Sequence, residues 1–132
     1  MTAPRLTEAE VTETLTQVVN DFGPDHIYPG TADDPAATCQ YERYDPDQDT
    51  AYRCIVGEVL HRLYDTDRWI MVVDNHNDSD VETLCSDGAL NVDDHVLGAL
   101  HRAQRDQDSG KTWGEALETY HEVLSWDDGR LE

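Results

Sequence analysis

The sequence predicts an α+β protein: a single, mainly helical domain of about four to five helices with one small β-hairpin. Three observations lead there. Apolar residues recur at helical spacing over 11–22, 92–107 and 113–124. Capping-box spacings begin at Thr7, Ser79 and Thr112. Two stretches suited to strands, 38–44 and 50–53, flank the turn-forming run Asp45-Pro-Asp-Gln-Asp49. A chain of 132 residues fits one domain and can bury a core without staples. Residues 1–5 and 127–132 read as loose ends.

The first helix, 7–22, opens with Thr7 and Glu10 as reciprocal caps and Leu6 with Val11 as a hydrophobic staple. Val11, Leu15, Val18, Val19 and Phe22 share its apolar face, and Gly23-Pro24 stops it. Three prolines between 24 and 38 disfavour regular structure; His26-Ile-Tyr28 reads as a short extended piece and 30–37 as an exposed loop. After the hairpin comes the densest apolar segment, Cys54 to Leu63, which reads as the core helix, about 54–64. Ile55, Val56, Val59, Leu60 and Leu63 fall in one arc, with Cys54, Glu58 and His61 opposite, and Glu58 one turn before Arg62. Gly57 inside it costs roughly 1 kcal/mol against alanine, which implies the close approach of another backbone.

Beyond a break at 65–68, Trp69-Ile-Met-Val-Val73 is ambiguous between strand and helix, its β-branched content leaning to strand. Asp74 to Asp78 reads as a polar loop, and Ser79 with Glu82 opens a short helix through Cys85 that Asp87-Gly88 ends. A helix over 92–107 carries Asp93 and Asp94 in its first turn, where they oppose the helix dipole. The last helix begins at Thr112 and Glu115, with Trp113, Leu117, Tyr120 and Leu124 inward and Glu115, Glu118 and Glu122 outward. A short connection makes these two helices an antiparallel pair.

Twenty-nine acidic residues face nine basic ones, eight arginines and Lys111, for a net charge of −20. Such a surface repels nucleic acid and anionic membranes. No apolar run is long enough to span a bilayer and no leader pattern is present, so a cytoplasmic setting is expected. Three readings of the acidity compete: a solvated surface in a genome that favours arginine over lysine, adaptation to high salt, and mimicry of a nucleic-acid backbone. Cys39, Cys54 and Cys85 are odd in number and widely spaced, which argues against a disulfide framework. A Cys39–Cys54 bridge is compatible with a hairpin but disfavoured in a reducing compartment.

Candidate sites are weak. Asp45, Asp47 and Asp49 alternate like a calcium loop, but Thr50 and Val56 stand where that loop needs glycine and glutamate. The oxygen-rich run Asp74 to Asp80 lacks the same features. No two cysteines have zinc-knuckle spacing, and Cys54, Glu58 and His61 read first as one face of a core helix. Gly110-Lys111-Thr112 resembles the end of a phosphate loop, but Arg105 occupies the required glycine position. No catalytic signature, metal site or cofactor motif emerges. A small-ligand or nucleotide cleft, in an enzyme or otherwise, would draw on Tyr28, Tyr41, Arg43, Arg53 and Trp69, since arginines are scarce enough that a cluster would carry meaning.

Gly23-Pro-Asp-His-Ile-Tyr28, the pair Cys39-Gln-Tyr41 and Cys54-Ile-Val-Gly57, and Gln104 to Asp108 leading to Gly110-Lys-Thr-Trp113 together span most of the chain. In these stretches it resembles uncharacterised small acidic proteins of actinobacteriophages and actinobacterial genomes. The resemblance implies a phage or prophage setting and a protein that binds a host component, and it assigns no site residue. The reading carried forward is a non-enzymatic binding protein, able to self-associate, whose acidic surface meets a basic host protein. A small-ligand protein and a halophile-type cytosolic domain stand as alternatives.

Overall fold

A computed structural model describes residues 4–27, 41, 43–45, 50–76 and 81–130, apart from the side chains of 43–45, 50–52 and 126–130. Among the described residues six helices succeed one another: α1 (Glu8–Phe22), α2 (Ile55–Leu63), α3 (Thr66–His76), α4 (Val81–Ser86), α5 (Asp94–Asp108) and α6 (Trp113–Arg130). The fold is therefore α-helical, which corrects the α+β class and the lower helix count. Between α1 and α2, Arg43–Asp45 and Thr50–Tyr52 pair antiparallel over three residues each. No third strand joins them among the described residues, so they form no β layer, and the hairpin is not an architectural component of the core.

The ambiguous run 69–73 lies wholly within α3, correcting the lean towards strand. Helical rotation buries Trp69 and Val72 and leaves Ile70 and Met71 outside, an arrangement that β-branched content could not foretell. Asp74, Asn75 and His76 form its last turn rather than a loop. At the other end of the chain, α6 continues to Arg130, past the expected start of the tail.

Capping signals placed the starts of α1 and α6 well, whereas the expected break at 65–68 is taken up by α3, which begins at Thr66, and Ser79 lies outside the described residues. The Thr7 hydroxyl accepts the Glu10 N–H at 3.1 Å, and the Glu10 carboxylate accepts the Thr7 N–H at 2.9 Å. Thr112 and Glu115 repeat the arrangement at the start of α6. Glu115 is thereby held below the usual carboxylate range, chiefly by the Thr112 backbone N–H and then by its hydroxyl. Two further bonds dock α6. Trp113 N–H donates to His26 O and Gly114 N–H to Pro24 O, each at 2.8 Å, so the segment after α1 satisfies the first amides of the last helix. The Tyr120 and Thr12 hydroxyls share a 2.8 Å hydrogen bond between α6 and α1, and the Thr119 hydroxyl donates to Asp106 across α5 and α6.

Helix α2 is the centre. Every residue from Cys54 to Leu60 is buried, Glu58 included, so its expected polar face is corrected: only His61 of the three opposite residues is exposed. Burying Ile55, Val56, Val59 and Leu60 stabilises the fold by about 1.5–3 kcal/mol per side chain. A helix enclosed this far must have its backbone satisfied within the protein. Ile55 N–H donates to the Gln107 side-chain oxygen at 2.7 Å, and Gly57 N–H to Cys54 Sγ at 3.3 Å. Gly57 also explains itself: a Cβ there would lie 2.4 Å from the carbonyl oxygen of Tyr41. The close backbone approach implied by the sequence is present.

Two glycine substitutions should therefore act in opposite directions. Gly57→Ala is expected to lose about 2–4 kcal/mol of stability in denaturant titrations, because the backbone contact with Tyr41 must open. Gly98→Ala lies in the interior of α5, with nothing within 4 Å of the added methyl, and should gain about 0.5–1 kcal/mol. Equal behaviour of the two variants would contradict the contact at Gly57.

Candidate functional site

Of the five residues expected to line a cleft, the structure brings Arg53 and Trp69 together. The Arg53 guanidinium lies 5.9 Å from the Trp69 ring centroid and 3.5 Å from the Glu58 carboxylate. His61 meets the other side of this group, its ring edge-on to Trp69 at 5.3 Å. Arg62 reaches both Glu58, at 4.0 Å, and Asp21 of α1, at 2.8 Å. Glu58, 7 % exposed, is thus a buried carboxylate held between two arginines. Tyr41 is a fully buried core residue whose main chain packs on Gly57. Tyr28 and the Arg43 side chain lie outside the described residues. Arg53 therefore stacks on Trp69 while its charge is already engaged by the buried Glu58.

Metal chemistry finds no cluster of three or more histidine, cysteine or acidic groups among the described residues. Cys54, whose thiol is free, is an N-cap that accepts from Gly57 and receives the Gln104 side-chain amide at 3.4 Å. Cys85 is also a free thiol, while Cys39 lies outside the described residues. The aspartate turn 46–49 and most of the oxygen-rich run after His76 lie outside them too.

Two surface features were missed by sequence reasoning. The first is a groove of about 370 Å³ between the end of α1 and the start of α6. Val19, Pro24 and Leu117 contribute apolar wall, and Asp25, Glu115 and Glu118 contribute carboxylates. The outward placement of Glu115 and Glu118 was legible from helical spacing, but their meeting with Asp25 depends on how α1 and α6 pack. The second is the outer side of α3, where Ile70 and Met71 are 47 % and 49 % exposed. Beside them a cavity of about 60 Å³ opens between α3 and the turn after α4. No helix among the described residues is long and apolar enough to cross a membrane. The chain matches no known protein family, and no curated protein or solved structure is found to match it.

Next to the groove, His26 joins the end of α1 to the start of α6. His26 packs edge-on against Trp113 at 4.4 Å and at a tilt against Phe22 at 5.1 Å. Burial lowers its pKa, with the Glu58 charge opposing in part. The folded chain therefore holds fewer protons here than the unfolded chain as pH falls through the ordinary imidazole value. Its contribution is complete above that value, is lost as pH falls towards the depressed folded pKa, and is flat below it. In urea titrations from about pH 7.5 to about pH 5, stability of the natural chain relative to His26→Phe should decline. A relative stability that rises on acidification would show that His26 gains, rather than loses, affinity for a proton on folding.

Proposed function

We propose that this chain is a non-enzymatic binding protein whose acidic exterior engages a basic surface on another protein. The observation that carries this reading is the disposition of its few cations. Arg5 pairs with Asp93, Arg53 and Arg62 with Glu58, Arg62 also with Asp21, and Lys111 with Asp106 at 3.8 Å. Arg68 lies over the Tyr64 ring at 6.0 Å. Arg53 and Arg62 are drawn in around Glu58, while Arg5 and Lys111 pair at the surface, so much of the net charge of −20 remains to act outward. Exposed carboxylates such as Glu13, Asp25, Glu115, Glu118 and Glu122 sit on α1, α6 and the groove between them.

A field of one sign raises the encounter rate with an oppositely charged partner and excludes nucleic acid. The resemblance to small acidic phage-associated proteins supports a bacterial host protein as the target, met in the host cytoplasm and modulated by occupancy of its basic site. A small-ligand cleft has less support, because Glu58 already takes up the charge of Arg53 and Trp69 its face.

The kinetics of association test this. With a basic partner recovered from host extract, the association rate constant should fall about tenfold or more between roughly 0.05 and 0.5 M salt, while dissociation changes much less. A salt-insensitive association rate, or a partner without a basic surface, overturns the proposal. A fold that forms only in molar salt would instead identify a halophile-type domain.

A further inference from the structure

The outer face of α3 combines exposed apolar side chains with flanking charge of one sign. Ile70 and Met71 are among the most exposed large apolar residues described, and they are adjacent. Asp67 and Asp74, both exposed, lie one turn before and one turn after this pair. The small cavity next to Met71 has Val72 and Ala89 as apolar walls and Arg68, His76 and Asp87 at its polar edge. At about 60 Å³ it has room for the branched tip of one aliphatic side chain.

We infer that this face of α3 is the docking site for an amphipathic helix of a basic protein, one that places an aliphatic anchor beside Met71 and lysines or arginines against Asp67 and Asp74. The inference rests on the acidic-surface reading and gives it a location. Charge selects the occupant. The three aspartates Asp67, Asp74 and Asp87 outnumber Arg68, and the His76 imidazole 3.6 Å from Asp87 adds a positive charge only when protonated. A second copy of the chain is disfavoured: antiparallel pairing of two α3 helices would set Asp74 of one against Asp67 of the other, within a total charge of −20 on each chain. A partner helix with apolar residues at i and i+3 or i+4, and basic residues one turn beyond, meets both parts of the pattern. Beside the groove between α1 and α6, Phe22 and Ile27 are 42 % and 44 % exposed, but they are not adjacent and the Phe22 ring already packs on His26 and Trp113, whereas Ile70 and Met71 form one continuous anchor, and anchors concentrate binding energy.

Amide and methyl NMR of the full chain tests the site, using a designed leucine–lysine peptide that forms an amphipathic helix and a scrambled peptide of identical composition. The amphipathic peptide should shift Ile70, Met71, Asp74 and Ala89 most. The double variant Ile70→Asn/Met71→Asn should weaken it about tenfold or more while its unbound spectrum stays that of a folded chain. Asp67→Asn/Asp74→Asn should weaken it and flatten the salt dependence. If the shifts instead gather on Asp25, Glu115 and Glu118 and the apolar variant binds like the natural chain, the α3 site is overturned while the acidic-surface reading stands. Solvent protection of the Ile70 and Met71 methyls in the free chain also overturns the site. If neither peptide binds at low salt, the acidic-surface reading itself fails.

Discussion

The N-terminus of α2 is enclosed in protein, and the requirement to satisfy it ties together distant parts of the chain. Tyr41 brings its carbonyl against Gly57, where any side chain would collide. Gln107, fully buried at the far end of α5, supplies the acceptor for Ile55 N–H. Cys54 accepts from Gly57 and receives Gln104 from the same α5 surface. In a dry core each of these bonds replaces one that water cannot supply, so losing one leaves the full desolvation cost of its partner. The glutamines of α5 thus act as part of the first turn of α2, which explains why such polar residues occupy a buried face.

The electrostatics follow from the same economy of cations. A chain with nine basic residues and a net charge of −20 must fold against its own repulsion. It places Glu10 and Glu115 in capping boxes, where backbone amides and helix dipoles receive them. Glu58, the most buried carboxylate among the described residues, takes up both Arg53 and Arg62. Isolated exposed pairs such as Arg5 with Asp93 contribute little on their own.

That surface is not uniform. Around α1 and α6 it is a field of carboxylates with a shallow groove, suited to steering. On α3 the charge frames an apolar pair, the combination that can convert encounter into a defined complex. Both features arise from packing between helices rather than from a motif.

What the sequence by itself determined was local. Thr7 with Glu10, Thr112 with Glu115 and Gly23-Pro24 specify helix ends through bonds made within a few residues, and those ends are found where the spacing puts them. Gly57 announced a close contact because a glycine in a helix needs a reason, although only the fold identified Tyr41 as the neighbour. The run 69–73 went astray because a short apolar stretch has no period to read, and its outward pair became visible only with α3 in place. The α+β class failed because three-residue pairing cannot build a layer, while six helices can enclose a core. Cys54 to Leu63, read as a half-exposed helix with a polar side, is buried along its first turns. The physical reason is that burial is decided by what packs against a helix: α1, α3 and α5 arrive from sequence positions that no local pattern connects to it.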